Sequence, residues 1–524
     1  MSEETKNTEI IAENADAEAD TIFGSDPTQT AAPAKKGGMS KNVRGLLIGL
    51  GALVIASGIL TAVLLLNRTD GDATESTADS AAAEAITLNE ADVINLTEID
   101  IQGAAPFHVT RTFRGREDAA AEYTIDGYED LTLDTALLST LANNGCALEA
   151  QSLVEENAAD LEKYGLAEPL ADVTLSYEDG TSFRFSVGSQ SPMDTTKTYC
   201  AVEDDVYLVR TSLVANYQKD PVQFLSTTVL AEPAEADYPI VDSLRIERKD
   251  LDWDIYMEYD YENADDDSAG GTAATHVMIE PIFSYLNVEL SSDVTNGMFG
   301  LSAQEVAVVH PDESDLARTG LDDPFCTVTM KTDDGETHVL TIGDSYETAG
   351  GVTCWYALLE GVSEIFGVTE DAAAWIKVQP GDITSSNIFV TNVWNIGTLD
   401  VRDKTHELNF AGEGDKDSYT VTKNGVSCDT ERFRTLYRFL LYIYGEELYI
   451  GELPEGEPDA EVHLTTQNGR EDYTISFYKV SDLKTIVARD GVPSYVIRTS
   501  CLDTLSYNLD IFDDTTTEFK TSWQ

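Results

Sequence analysis

Positive charge is what this chain has least of. Its 524 residues carry 33 Lys+Arg against 95 Asp+Glu, a formal net charge of −62. Binding to a nucleic-acid backbone needs clustered cations that displace counterions, so that class is excluded. Adhesion of a folded surface to anionic lipid is excluded on the same ground. Histidine is also sparse. His108, His276, His310, His338, His406 and His463 never pair at i+2 or i+4, so no His-Glu-x-x-His metal face is present. The sequence has no Gly-x-Ser-x-Gly elbow, Walker A loop or Gly-x-Gly-x-x-Gly fingerprint. Ser481-Asp482-Leu483-Lys484 matches Ser-x-x-Lys. It lies between strand-like runs, however, and lacks the two further motifs that penicillin-binding enzymes add, so it reads as coincidence. The sequence therefore nominates no catalytic, cofactor-binding or metal-binding residue, and no cofactor is expected.

What the chain does have is material for cores. It is 42% hydrophobic and 9% aromatic, and its length corresponds to roughly two to four domains. Residues 45 to 66 form an uncharged apolar run of 22 residues. At 1.5 Å per residue this predicts about 33 Å of transmembrane helix, enough for a ~30 Å hydrocarbon core. Lys35, Lys36, Lys41 and Arg44 precede it and only Arg68 follows closely. The positive-inside rule then places the N-terminus in the cytoplasm and the rest outside. A cleaved signal peptide is the competing reading. It fits less well, because the run exceeds the usual apolar region and Leu64-Leu65-Leu66 fills the expected cleavage region. Residues 1–44 read as a disordered cytoplasmic tail and 67–86 as a flexible tether. Residues 1 to 68 hold 6 Lys+Arg and 8 Asp+Glu, which leaves 27 and 87, a net of −60, for the remainder.

The remainder repeats itself. Residues 160 to 188 and 315 to 343 align without a gap, and 10 of the 29 positions are identical. The shared residues include Asp160/Asp315, Gly165/Gly320, Pro169/Pro324, Asp179/Asp334, Gly180/Gly335 and Gly188/Gly343. Asp-Leu-x-x-x-Gly-Leu predicts a short helical turn closed by a left-handed Gly. The following Pro starts an extended segment, and Asp-Gly joins two alternating strands. Residues 462 to 497 repeat strand, turn, strand without the Gly-Leu-x-x-Pro element, a degenerate third copy. Asp134 and Asp429 are predicted N-caps, and Pro281 is a predicted first residue of the helix between them. The expected fold is α+β: a single transmembrane helix, then three modules, each an antiparallel sheet with one covering helix. The module boundaries are set at 87–235, 236–380 and 381–512, with 513–524 as a C-terminal tail.

The pattern Asp-Leu-x-x-Tyr-Gly-Leu-x-x-Pro, strand, Asp-Gly, strand ending Val/Ile-Gly, then a Tyr-containing strand resembles the bacterial family called domain of unknown function 4340. Residues 160 to 209 match it well. Residues 315 to 368 match it less fully, with Thr319 where Tyr164 would stand. The resemblance implies an accessory role at the cell membrane beside ABC-transporter or gliding-motility components. It carries over no catalytic residue.

The leading expectation is thus a non-enzymatic extracytoplasmic accessory protein, held at the bacterial membrane through residues 45–66, whose partners include transporter components. A cell-surface binding module for glycan or calcium is the alternative, and a cell-wall enzyme relying on Ser481 and Lys484 is a third. Calcium would use acidic loops, either Glu262, Asp265, Asp266 and Asp267 or Asp415 and Asp417; neither has EF-hand spacing. The six cysteines, Cys146, Cys200, Cys326, Cys354, Cys428 and Cys501, fall two to a module. That permits pairings 146–200, 326–354 and 428–501, while buried free thiols are an equal alternative.

Overall fold

The computed structural model describes residues 85–116, 119–261 and 274–523. The predicted tail, the apolar run 45–66 and nearly all of the tether lie outside these residues, as do Glu262, Asp265, Asp266 and Asp267. Among the described residues no helix is long and apolar enough to cross a membrane.

The first sheet is built from two meanders. Leu96–Gly103, Phe107–Phe113 and Glu122–Ile125 form the first. Helix α1 (Thr135–Cys146) follows, capped by the Asp134 carboxylate on the Leu137 amide, and leads into the outer strand Glu149–Glu155. Ala171–Tyr177, Ser182–Ser191, Asp194–Val202 and Asp205–Arg210 make the second meander. Its first strand pairs with Leu96–Gly103 and its last with Glu149–Glu155, so both meanders join in one antiparallel sheet. Alternation sends Ile99, Ile101, Val173 and Leu175 into the core, and a register shift between Leu96 and Glu98 brings Leu96 to the same side.

The second and third sheets repeat this order, except that a fourth strand of the first meander (Ser284–Tyr285 or Val426–Ser427) makes up the nine where the first sheet has the edge strand Ile86–Thr87. In the second, Val241–Arg248 pairs with Cys326–Thr332, and Glu305–Val309 is the outer strand. In the third, Ile396–Asp403 pairs with Ala460–Thr466, and Glu447–Leu448 is the outer strand. Helices α2 (Val288–Thr295) and α3 (Thr430–Leu441) occupy the interval that α1 occupies in the first sheet. The third module, degenerate in sequence, is thus complete in topology.

The expected α+β class is overturned. The described residues are mostly β, with three nine-stranded sheets and few helices among them. A nine-stranded sheet is ~40 Å wide at ~4.8 Å per strand, whereas twelve helical residues span ~18 Å, so one such helix cannot form a layer. The predicted helix at Pro281 is also corrected. Ser284–Tyr285 pairs as a strand with Val277 and Met278. Asn287 then caps α2 by accepting from the Glu289 and Leu290 amides.

The Gly punctuation behaves as its chemistry demands. Gly165 (φ 66°) and Gly320 (φ 71°) close their turns in the left-handed region. At Gly188 and Gly343 a Cβ would collide with the carbonyl oxygens of Tyr164 and Thr319.

Two connectors of one design join the sheets. Each begins with a Pro-initiated turn closed by a capping box: Pro221–Phe224 with Asp220 and Gln223, and Pro380–Ile383 with Gln379 and Asp382. The chain then runs extended beside the next sheet. Ala303 N donates to Thr227 O (2.7 Å) and Val229 N to Leu301 O (2.8 Å); Gly445 N donates likewise to Ser386 O (2.8 Å). In the first sheet Ile86–Thr87 takes this slot against Ala150 and Glu149. Leu225 and Val229 are buried in the core of the second sheet. After the third sheet, helix α4 (Ser500–Asp510) stands in place of an outgoing connector.

Candidate functional site

Polar chemistry concentrates at two places. The first is the seam between the second and third sheets. Arg489 ends strand Lys484–Arg489 and is pushed inward, with its guanidinium 4.0 Å from the Phe283 ring centroid and 3.9 Å from that of Tyr473. It donates to the Tyr285 hydroxyl. Nearby, Tyr495 donates to Ser385 O and shares a hydrogen bond with Ser284 Oγ, while Ser494 Oγ donates to Phe283 O (2.6 Å). Thr391 Oγ1 donates to the buried Glu471 carboxylate (2.7 Å), and Tyr437 donates to Thr391 O (2.7 Å). Burial pushes the Tyr285 and Tyr437 phenols well above their ordinary range and Tyr495 up to about 12. Burial works against the Arg489 cation, but the phenols of Tyr285 and Tyr473 and the Glu471 carboxylate outweigh it and raise its pKa. A permanent cation between neutral rings locks the two sheets together; it is not poised to move a proton.

The second place is a pocket of about 200 Å³ at the start of α3, lined among others by Lys423, Cys428, Asp429, Arg432, Phe512 and Asp513. Its charges are already engaged. Lys423 pairs with Asp513. Asp429 caps α3 through the Glu431 and Arg432 amides. Arg432 donates to the carbonyls of Ile511 (2.6 Å), Phe512 (2.6 Å) and Thr517 (3.1 Å) and stacks on Phe519. Burial raises the Cys428 thiol, which donates to Val421 O. The arrangement clamps the C-terminal segment onto the third sheet rather than presenting a nucleophile.

The residues singled out in the sequence are placed as follows. Ser481 Oγ accepts from the Leu483 and Lys484 amides within a tight turn, whereas Lys484 Nζ reaches away to Glu447 (3.0 Å), so no Ser-Lys dyad forms. Asp415 Oδ1 accepts from Asp417 N, Ser418 N and Ser418 Oγ and closes its own turn. His276 is buried, its Nε2 2.7 Å from Val241 O. His108, His310, His406 and His463 each lie beside carboxylates. Among the described residues no group of three or more His, Cys, Asp or Glu is placed to hold a metal ion. All six cysteines are free thiols, five of them buried. Sequence reasoning missed Arg489 and the Arg432 clamp, because nothing local sets either apart from the other cations on its element and its partners come from distant segments.

A family model described as Domain of unknown function (DUF4340) matches residues 124–275 and again 292–443. Both matches run from the later elements of one sheet into the early elements of the next. No curated protein and no solved structure matches the chain.

Proposed function

We propose, from the premise that this chain belongs to the Domain of unknown function (DUF4340) family as a tandem repeat, that it is a non-enzymatic, extracytoplasmic accessory protein of a bacterial membrane complex, such as an ABC transporter. The observation that carries this reading is threefold repetition of one β architecture whose shared residues are turn and strand punctuation, with buried polar groups spent on joining sheets and clamping the C-terminal segment. Repeats of this kind build extended surfaces for other macromolecules rather than enclosed reaction sites. The membrane is reached through the apolar stretch 45–66, with its basic residues on one flank only. The acidic balance beyond it opposes association between copies of the chain. Affinity isolation of the tagged chain from detergent-solubilised membranes tests the proposal. Co-purification of transporter components is expected, and their absence under conditions that preserve known membrane complexes would count against it.

A further inference from the structure

Among the described residues the first sheet lacks a cover that the other two have. Strand register places Leu153, Val306 and Leu448 at one position: across the outer strand pair they face Tyr207, Phe366 and Tyr495. The flanking sequences agree, Leu148-Glu149-Ala150-Gln151 aligning with Leu301-Ser302-Ala303-Gln304. Val306 is only 7% exposed and belongs to the second sheet's core. Its strand packs against the Pro221–Phe224 turn of the incoming connector. Leu448 lies under the other incoming turn, Pro380–Ile383, where a Cβ on Gly381 would stand 3.6 Å from Leu448 Cδ1. Leu153, by contrast, is 45% exposed and its neighbour Val154 is 37% exposed. Beside them the Gln151 amide oxygen is buried with no hydrogen-bond partner among the described residues.

The chain's own approach to this edge has different chemistry. With Ile86 and Thr87 aligned on Thr227 and Thr228, the sequence in register with Pro221–Phe224 is Ser80-Ala81-Ala82-Ala83. It has no proline, no capping pair and no apolar side chain larger than a methyl group. Among the described residues a second copy offers no free connector either, because α4 and the residues after it pack back onto the third sheet through Arg432.

We propose that the outer edge of the first sheet, centred on Leu153 and Val154, is a docking site for a partner polypeptide that presents a capped, proline-initiated turn with an apolar anchor, as the chain's own connectors do. The two internal junctions display the occupant's chemistry: an Asp or Gln cap, a Pro, and Phe or Ile three residues further on. An exposed apolar strand edge is a ready partner for such a segment. The proposal rests on repeat register and stands or falls separately from the accessory role at a membrane.

The test is fluorescence anisotropy of a labelled peptide copying Lys219–Ser226, titrated with the full chain. Saturable binding is expected, weakened about tenfold or more by Leu153→Asp. Val154→Asp is a second variant with the same expected effect, and circular dichroism checks that both remain folded. Val426→Asp, at a 70% exposed site on the third sheet, is expected to leave binding unchanged. Absence of saturable binding up to millimolar concentration, or equal binding by Leu153→Asp and Val154→Asp, overturns the proposal. So does sedimentation showing a self-association that Leu153→Asp abolishes, since the occupant would then be a second copy.

Discussion

Arg489 joins two sheets by placing a cation where three aromatic rings from two modules converge. Exchanging it for Met keeps the volume and the apolar contact but removes a buried cation that faces the rings, Asp490 and the field of the buried Glu471. Breaking such a compensation costs roughly 3–5 kcal/mol. We therefore expect Arg489→Met to lower the urea midpoint strongly. Adding Glu471→Gln should restore most of the loss, because the amide still accepts from Thr391 Oγ1. A midpoint within error of wild type for Arg489→Met would refute this account. Nothing about Arg489 stands out in the sequence. Its role depends on Phe283 and Tyr285, some 200 positions earlier.

At the scale of elements, the shared glycines divide into two kinds with different expected costs. Gly335 sits at a hairpin tip (φ 90°) with nothing near its Cβ position, so Gly335→Ala meets only backbone strain, about 1 kcal/mol. Gly343 lies against the Thr319 carbonyl, so Gly343→Ala must displace backbone at a cost of about 2 kcal/mol or more. Thermal unfolding should rank Gly343→Ala below Gly335→Ala in Tm, and the reverse order would show that the close approach is not what the glycine serves. These motifs were legible because turn and strand signals are local: Asp-Gly and Val-Thr-x-x-x act over five residues. The fold class was not. Asp134 and Asp429 cap their helices as their residue type predicts, but a capped helix of twelve residues is a local feature that does not reveal how wide a sheet it lies on. The third copy looked degenerate because it lacks Gly-Leu-x-x-Pro, although its strand order depends on side-chain alternation and not on that element. The Pro221 and Pro380 turns went unread, since four residues carry no periodicity and their partners belong to the next module.

Across the whole molecule, the connectors make neighbouring sheets depend on one another. Leu225 and Val229 belong to one sheet's exit and to the next sheet's core. Burial of two such side chains contributes about 3–5 kcal/mol. A fragment beginning at Asp220 is accordingly expected to unfold at a higher urea midpoint than one beginning at Tyr238, and equal midpoints would sever the link. The two family matches, each starting within one sheet and finishing in the next, carry this interdependence into inheritance. Each matched segment spans a connector with part of a sheet on either side, so its ends do not coincide with the ends of a folded sheet. A gene fusion or deletion breaking at residues 124 and 275 would leave two different sheets unfinished. Breaks that fall within the connectors instead keep sheets whole and expose only an edge, the kind of scar that another subunit can heal.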